Sequence, residues 1–235
     1  MAYFLDNYPV SEESANLVLT EEQEKNCRVV YKLSEDENDR GAYFAGLWEP
    51  DKTYSDEYVI LPLKATGGDV VTLFPNSYFA PVKSFANVIG SSNDQIPPNT
   101  ADSWIAWWKK LTKNNNPSCC TDGNFYYINN KGIECKFNKI NVQNNEVNAK
   151  CSTEGYINGG HIIINAKSAA TALPNSSVYI VPLCTNHNIG YAGDCSWGEG
   201  FYMKLKENTP AVKLKGYLVN IKDHIETLKK EDRHE

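Results

Sequence analysis

Residues able to do chemistry crowd into one stretch of this 235-residue chain. It runs Cys151-Ser-Thr-Glu-Gly-Tyr-Ile-Asn-Gly-Gly-His161 and then, after a β-like run and a loop, Tyr179-Ile-Val-Pro-Leu-Cys-Thr-Asn-His-Asn188. Thiols and imidazoles are the side chains that bind soft metals and move protons near neutral pH. The chain has seven cysteines, at 27, 119, 120, 135, 151, 184 and 195, six of them in the second half. An odd count, too sparse for a disulfide scaffold, reads as mostly reduced thiols of a cytoplasm-like compartment, some able to bind metal; paired disulfides are the alternative. The vicinal pair Cys119-Cys120 reads as packing rather than redox chemistry, because no C-x-x-C element opens a helix. Asp194 and Glu199 add carboxylates in a turn nearby, while His224 and His234 sit in charged surroundings and read as solvent-facing.

Several elements must position these groups. Short β-like segments are expected at 28–32, 43–48, 57–61 and 70–74, separated by turn-forming clusters. A weak helical stretch is expected around 11–24. The polar run 87–100 reads as a linker. A clear helix follows, because Trp104, Trp107, Trp108 and Leu111 fall at i, i+3, i+4 and i+7. Thr100 or Asp102 could cap it, and Lys109, Lys110 and Lys113 load its last turn, where the helix dipole favours cations. Its tryptophans could stack on bases; packing against a sheet is the reading preferred here. Further strands are expected at 125–128, 133–137, 140–142, 161–165, 178–183 and 201–205, with a charged helix or tail over 223–234.

The 151–188 stretch resembles the HNH, or His-Me finger, endonucleases. In that family a His ends the first strand of a hairpin, and a Leu-Cys-x-x-Cys-[His/Asn] segment ends the second. Leu183-Cys184-Thr-Asn-His187-Asn188 matches the second element, with His187 in place of the second cysteine. A bacterial subgroup is closer still: it has a Ser-Trp helix, matched by Ser103-Trp-Ile-Ala-Trp-Trp108, then a cysteine, Gly-[Ala/Gly]-His and Tyr-Ile-Val-Pro-Leu-Cys. The resemblance covers roughly residues 100–222. It implies a general base at His161, stripping a proton from water beside a scissile phosphate. It also implies a ligand for Mg²⁺ or Mn²⁺ at Asn188, and a structural zinc whose candidate ligands are Cys151, Cys184 and His187. Three departures stand beside the match. Gly160 sits where many active members carry Asp, Glu or His, and Tyr179 sits where the family pattern has its middle Asn, with Asn175 four residues earlier. Tyr156 sits where the subgroup has a second cysteine. A closed zinc site wants four ligands, and Cys135, Cys119 or Cys195 could supply the fourth.

Charge divides along the chain. Residues 1–99 hold 16 Asp and Glu against 7 Lys and Arg, whereas residues 100–235 hold 13 against 16. DNA or another polyanion is therefore expected to meet the second half, and a protein partner is conceivable for the acidic first half. No apolar run approaches the roughly 20 residues of a membrane span, and no basic-then-apolar secretory signal opens the chain. The expectation is an α+β fold: an acidic β-rich domain over 1–99, then an HNH-like ββα domain with an added Trp-rich helix over 100–235. Two functions follow. One is a metal-dependent endonuclease cleaving DNA; the other is a non-catalytic scaffold, zinc-stapled or zinc-free, that binds protein or nucleic acid.

Overall fold

A computed structural model describes residues 2–20, 23, 27–49, 52–137, 139–142, 145–148, 151, 156–166, 177–188, 201–219 and 221–228. The front of the chain contains β1 (Ala2–Leu5), β2 (Tyr8–Val10), the one-turn helix α1 (Glu12–Ala15), β3 (Val29–Ser34), β4 (Gly41–Leu47) and β5 (Tyr58–Ile60). β6 (Leu63–Lys64), β7 (Gly67–Leu73) and β8 (Phe85–Asn87) follow, and then helix α2 (Trp104–Thr112). Beyond it come β9 (Phe125–Ile128), β10 (Glu134–Phe137), β11 (Lys139–Val142), β12 (Asn145–Asn148), β13 (Ile157–Ile164) and β14 (Val178–Cys184). β15 (Thr209–Lys215), β16 (Leu218–Val219), the short helix α3 (Ile221–His224) and β17 (Glu226–Leu228) complete the order.

This is a mostly β structure that includes a sheet curled into a half-barrel, and it corrects the expected α+β fold with an HNH-like ββα unit. The β13–β14 hairpin is not an autonomous unit. It forms the middle of a five-stranded antiparallel sheet in the order β7-β15-β14-β13-β8. A second sheet runs β17-β1-β2-β4-β3-β5. Both sheets draw strands from either side of residue 99: β7 and β8 flank the hairpin's sheet, and β17 pairs with β1.

The physical reason lies in β14. All seven of its residues are buried. Val178 and Ile180 face one core with Val29, Tyr31, Leu63, Trp107, Trp108 and Val212. Tyr179, Val181 and Leu183 face the other, with Phe85, Phe125, Ile162 and Met203. Side chains alternate along a strand, so an unbroken apolar run marks a strand covered on both faces. A bare hairpin could not cover both faces of such a strand.

Helix α2 seals the first face. Ser103 caps it, its Oγ accepting from the Ala106 N–H at 3.3 Å, in place of the expected Thr100 or Asp102. Trp107 and Trp108 are buried, and Trp108 Nε1 donates to the Pro210 carbonyl at 3.0 Å. The stripe therefore belongs to the core. Of the expected helix over 11–24, Glu12–Ala15 form α1, residues 16–20 are not helical and Gln23 is helical, while residues 21, 22 and 24 lie outside the described residues. The expected linker is ordered structure, containing the end of β8 and a 3-10 turn at Ser91–Asn93. In place of a strand at 201–205 the chain makes isolated bridges, through Tyr202, Met203 and Leu205. No helix among the described residues is long and apolar enough to cross a membrane.

Candidate functional site

Strand β14 ends at Cys184, and the chain then curls back on it. The backbone N–H groups of His187 and Asn188 both donate to the Cys184 carbonyl, at 3.0 and 2.9 Å. That turn brings His187 Nδ1 to 3.1 Å from Cys184 Sγ. Residues 119–121 run alongside, held where Cys120 N–H donates to the Pro182 carbonyl at 3.0 Å. Cys119 Sγ lies 3.5 Å from His187 Nδ1, and Cys151 Sγ, before β13, lies 3.9 Å from it. The four donor atoms of Cys119, Cys151, Cys184 and His187 all fall within 4.8 Å of one another.

This donor set can hold a metal ion such as zinc. Bond lengths of about 2.3 Å to sulfur and about 2.05 Å to nitrogen put adjacent S and N ligands of a tetrahedron roughly 3.6 Å apart. The three S···N distances straddle that value. Cys119, Cys184 and His187 are buried and Cys151 lies at the surface, so the site is closed on three sides. Hydrogen bonding to Cys184, ahead of an opposing contribution from burial, draws the Cys119 thiol down to about 7. Burial pushes its neighbour Cys120 well above the usual thiol range. In an extended segment adjacent side chains diverge, so one member of the vicinal pair meets the cluster and the other does not.

Of the three residues considered for a fourth ligand, the structure brings in Cys119. Cys135 lies on β10, where its sulfur accepts from Asn129 Nδ2 at 3.4 Å, away from the cluster. Cys195, Asn175, Asp194, Glu199 and His234 lie outside the described residues.

A cavity of about 210 Å³ opens beside the same hairpin, lined by Ser103, Trp104, Asn158, Gly159, His161 and Asn188 among others. A smaller one of about 140 Å³ also borders His161 and Asn188. No described residue lining either cavity carries a carboxylate. His161 pairs with Ile180 on β14 and is 5% exposed. Its ring meets Trp104 edge-on at 4.4 Å and stacks on Tyr217 at 5.8 Å. Its Nε2 is buried with no hydrogen-bond partner among the described residues. Burial, helped by the charge of Arg28, pulls this imidazole down to about 3, so it is neutral at physiological pH.

The two glycines before His161 are packing requirements. A Cβ on Gly159 would stand 2.6 Å from the Trp104 backbone, so only glycine lets the start of α2 seat on β13. A Cβ on Gly160 would stand 2.4 Å from Leu183 Cδ1 and 2.8 Å from Asn188 Oδ1. The carboxylate or imidazole that the resemblance would place at 160 has no room. Behind the cavity Arg28 and Asp94 form a buried ion pair at 2.5 Å. Asp94 also accepts from the Tyr217 hydroxyl and from the Leu63 N–H. Nothing in the spacing of residues 28, 94 and 217 announces this network.

Comparison of the chain with protein-family models, curated proteins and solved structures gives no match.

Proposed function

We propose that this chain is a hydrolase of DNA phosphodiester bonds, with His161 as general base and a zinc ion at Cys119, Cys151, Cys184 and His187 stapling the hairpin. The observation that carries the reading is the cavity shared by His161 and Asn188. Burial keeps the imidazole neutral, the form that accepts a proton. A phosphate beside it favours the imidazolium and so raises its basicity when substrate is present. His161 would take the proton of the attacking water. Asn188 Oδ1, lying over Gly160, is the protein oxygen that would hold Mg²⁺ or Mn²⁺. A single amide oxygen is a thin donor set, suited to a cation that takes most of its ligands from water and substrate phosphate. When bound, that cation neutralises charge on the phosphoryl oxygens. The more basic half of the chain, residues 100–235, would meet the polyanion.

The test is nicking of supercoiled plasmid in Mg²⁺ or Mn²⁺ by the zinc-loaded protein and by His161→Ala. Nicking by the wild type that the variant loses supports the reading; equal inertness of the two refutes it. A second reading, a zinc-stapled module that binds without catalysis, is favoured by the absence of a carboxylate among the described cavity residues. It predicts that equal inertness, together with retained binding.

A further inference from the structure

We propose that the N-terminus of α2 is a phosphate clamp, in which the backbone N–H groups of Trp104 and Ile105 and the hydroxyl of Ser103 grip the phosphodiester facing His161. This deepens, and rests on, the reading of the cavity as a phosphodiester site.

The hydrogen-bond inventory of the helix start leaves those donors over. The Trp107 N–H begins the helical ladder by donating to the Ser103 carbonyl at 2.9 Å. The Ala106 N–H is taken by Ser103 Oγ. The N–H groups of Trp104 and Ile105 have no acceptor within the helix, and the macrodipole of this nine-residue helix makes that end positive. Ser103 spends an oxygen lone pair on its cap, so its O–H hydrogen is left to donate. All three residues line the cavity.

Strand β13 approaches the start of the helix closely, and glycine at 159 is what permits it. A Cβ on Gly159 would stand 2.7 Å from the Ile105 nitrogen. Glycine therefore leaves no side chain of β13 over that N–H.

The independent observation is His161. It is 5% exposed, lines the same cavity, and has an Nε2 that no described residue satisfies. A buried ring nitrogen without a partner calls for a ligand or ordered water. The helix donors can take oxygens of a tetrahedral oxyanion, which leaves the Nε2 lone pair to accept from a water held beside that anion. Asp94, the nearest buried carboxylate, is engaged by Arg28, Tyr217 and Leu63 and does not line the cavity. Asp102 precedes the cap and does not line it either. Helix N-termini bind phosphate through this combination of free N–H groups and dipole. With no full positive charge in the wall, the expected affinity for inorganic phosphate is in the millimolar range.

The experiment titrates the zinc-loaded protein, without Mg²⁺ or Mn²⁺, with inorganic phosphate and separately with the dinucleotide thymidylyl-thymidine. Sodium chloride at matched ionic strength is the control. NMR follows the amides of Trp104 and Ile105 and the ring protons of His161. Both ligands are expected to shift these signals, and chloride is not. Ser103→Asp keeps a good cap acceptor but puts a carboxylate against the anion, and should weaken binding roughly tenfold or more. Ser103→Thr keeps both cap and hydroxyl and should bind as the wild type does. The amide pattern of α2 reports whether each variant keeps the helix. Absence of shifts in the wild type, or shifts that persist in Ser103→Asp, overturn the clamp. Shifts with inorganic phosphate alone overturn its assignment to a phosphodiester. The nuclease reading fails separately: binding without nicking leaves the clamp and removes the nuclease, whereas nicking undiminished in Ser103→Asp removes the clamp and leaves the nuclease.

Discussion

The buried imidazole of His161 should make the fold sensitive to acid by a calculable amount. In the unfolded chain a histidine takes up a proton as pH falls through about 6.5, but in the folded protein burial defers that step to about 3. Between those values the unfolded state binds more protons, so stability rises with pH and is lost on acidification. Each unit of pH in that window is worth about 1.36 kcal/mol. By about pH 5 the loss is on the order of 2 kcal/mol, and across the whole window on the order of 5 kcal/mol. A typical domain has only about 5–15 kcal/mol in total. Urea unfolding of the zinc-loaded protein from about pH 7 to about pH 5 measures the loss. Acidification also weakens metal binding in general, so the comparison is with His161→Phe, which retains an aromatic ring between Trp104 and Tyr217 without a titrating group. The wild type should lose about 2 kcal/mol more than the variant over that interval. Equal losses, or ring protons of His161 that titrate near 6.5, would refute the claim that burial governs this group.

Purified protein should carry one zinc per chain by metal analysis; Cys184→Ser and Cys119→Ala should lower that loading, and Cys135→Ala should leave it intact. Zinc held equally by Cys119→Ala would remove that residue from the ligand set. Gly160→Asp should destabilise by about 1–3 kcal/mol through overpacking against Leu183; an unchanged melting temperature would count against that packing argument. Trp108→Ala should cost about 3–5 kcal/mol in urea unfolding, because the side chain is 1% exposed and its indole N–H holds Pro210. A loss below about 1 kcal/mol would place the helix outside the core.

Local patterns were readable in the sequence; long-range pairing was not. The tryptophan spacing located α2 because a 3.6-residue period is a local signal. The cap itself is Ser103, a favoured N-cap residue standing immediately before the first tryptophan, where Thr100 and Asp102 offered equally suitable side chains. The run at 178–183 showed a buried strand but not its neighbours. β8 lies far upstream of β13, and β7 pairs with β15 across well over a hundred residues. The polar run 87–100 looked like a linker because composition cannot distinguish a solvated Asp from one that is buried against Arg28, as Asp94 is. The resemblance points to Cys151, Cys184 and His187 as candidate ligands, and the structure brings these three together. Cys119 was only one of three choices for the fourth, because its approach depends on the Cys120–Pro182 hydrogen bond between segments distant in sequence.

The pairing of Ala2–Leu5 with Glu226–Leu228 carries a consequence for how the molecule is made. One edge of the larger sheet is completed by residues more than two hundred positions downstream of their partner. During synthesis the opening hairpin must wait with that hydrogen-bonding edge bare, and closure of so long a loop slows folding. A short tether joining the two paired strands, with the chain cut at the exposed turn around residue 38, would turn that long-range pairing into a local one.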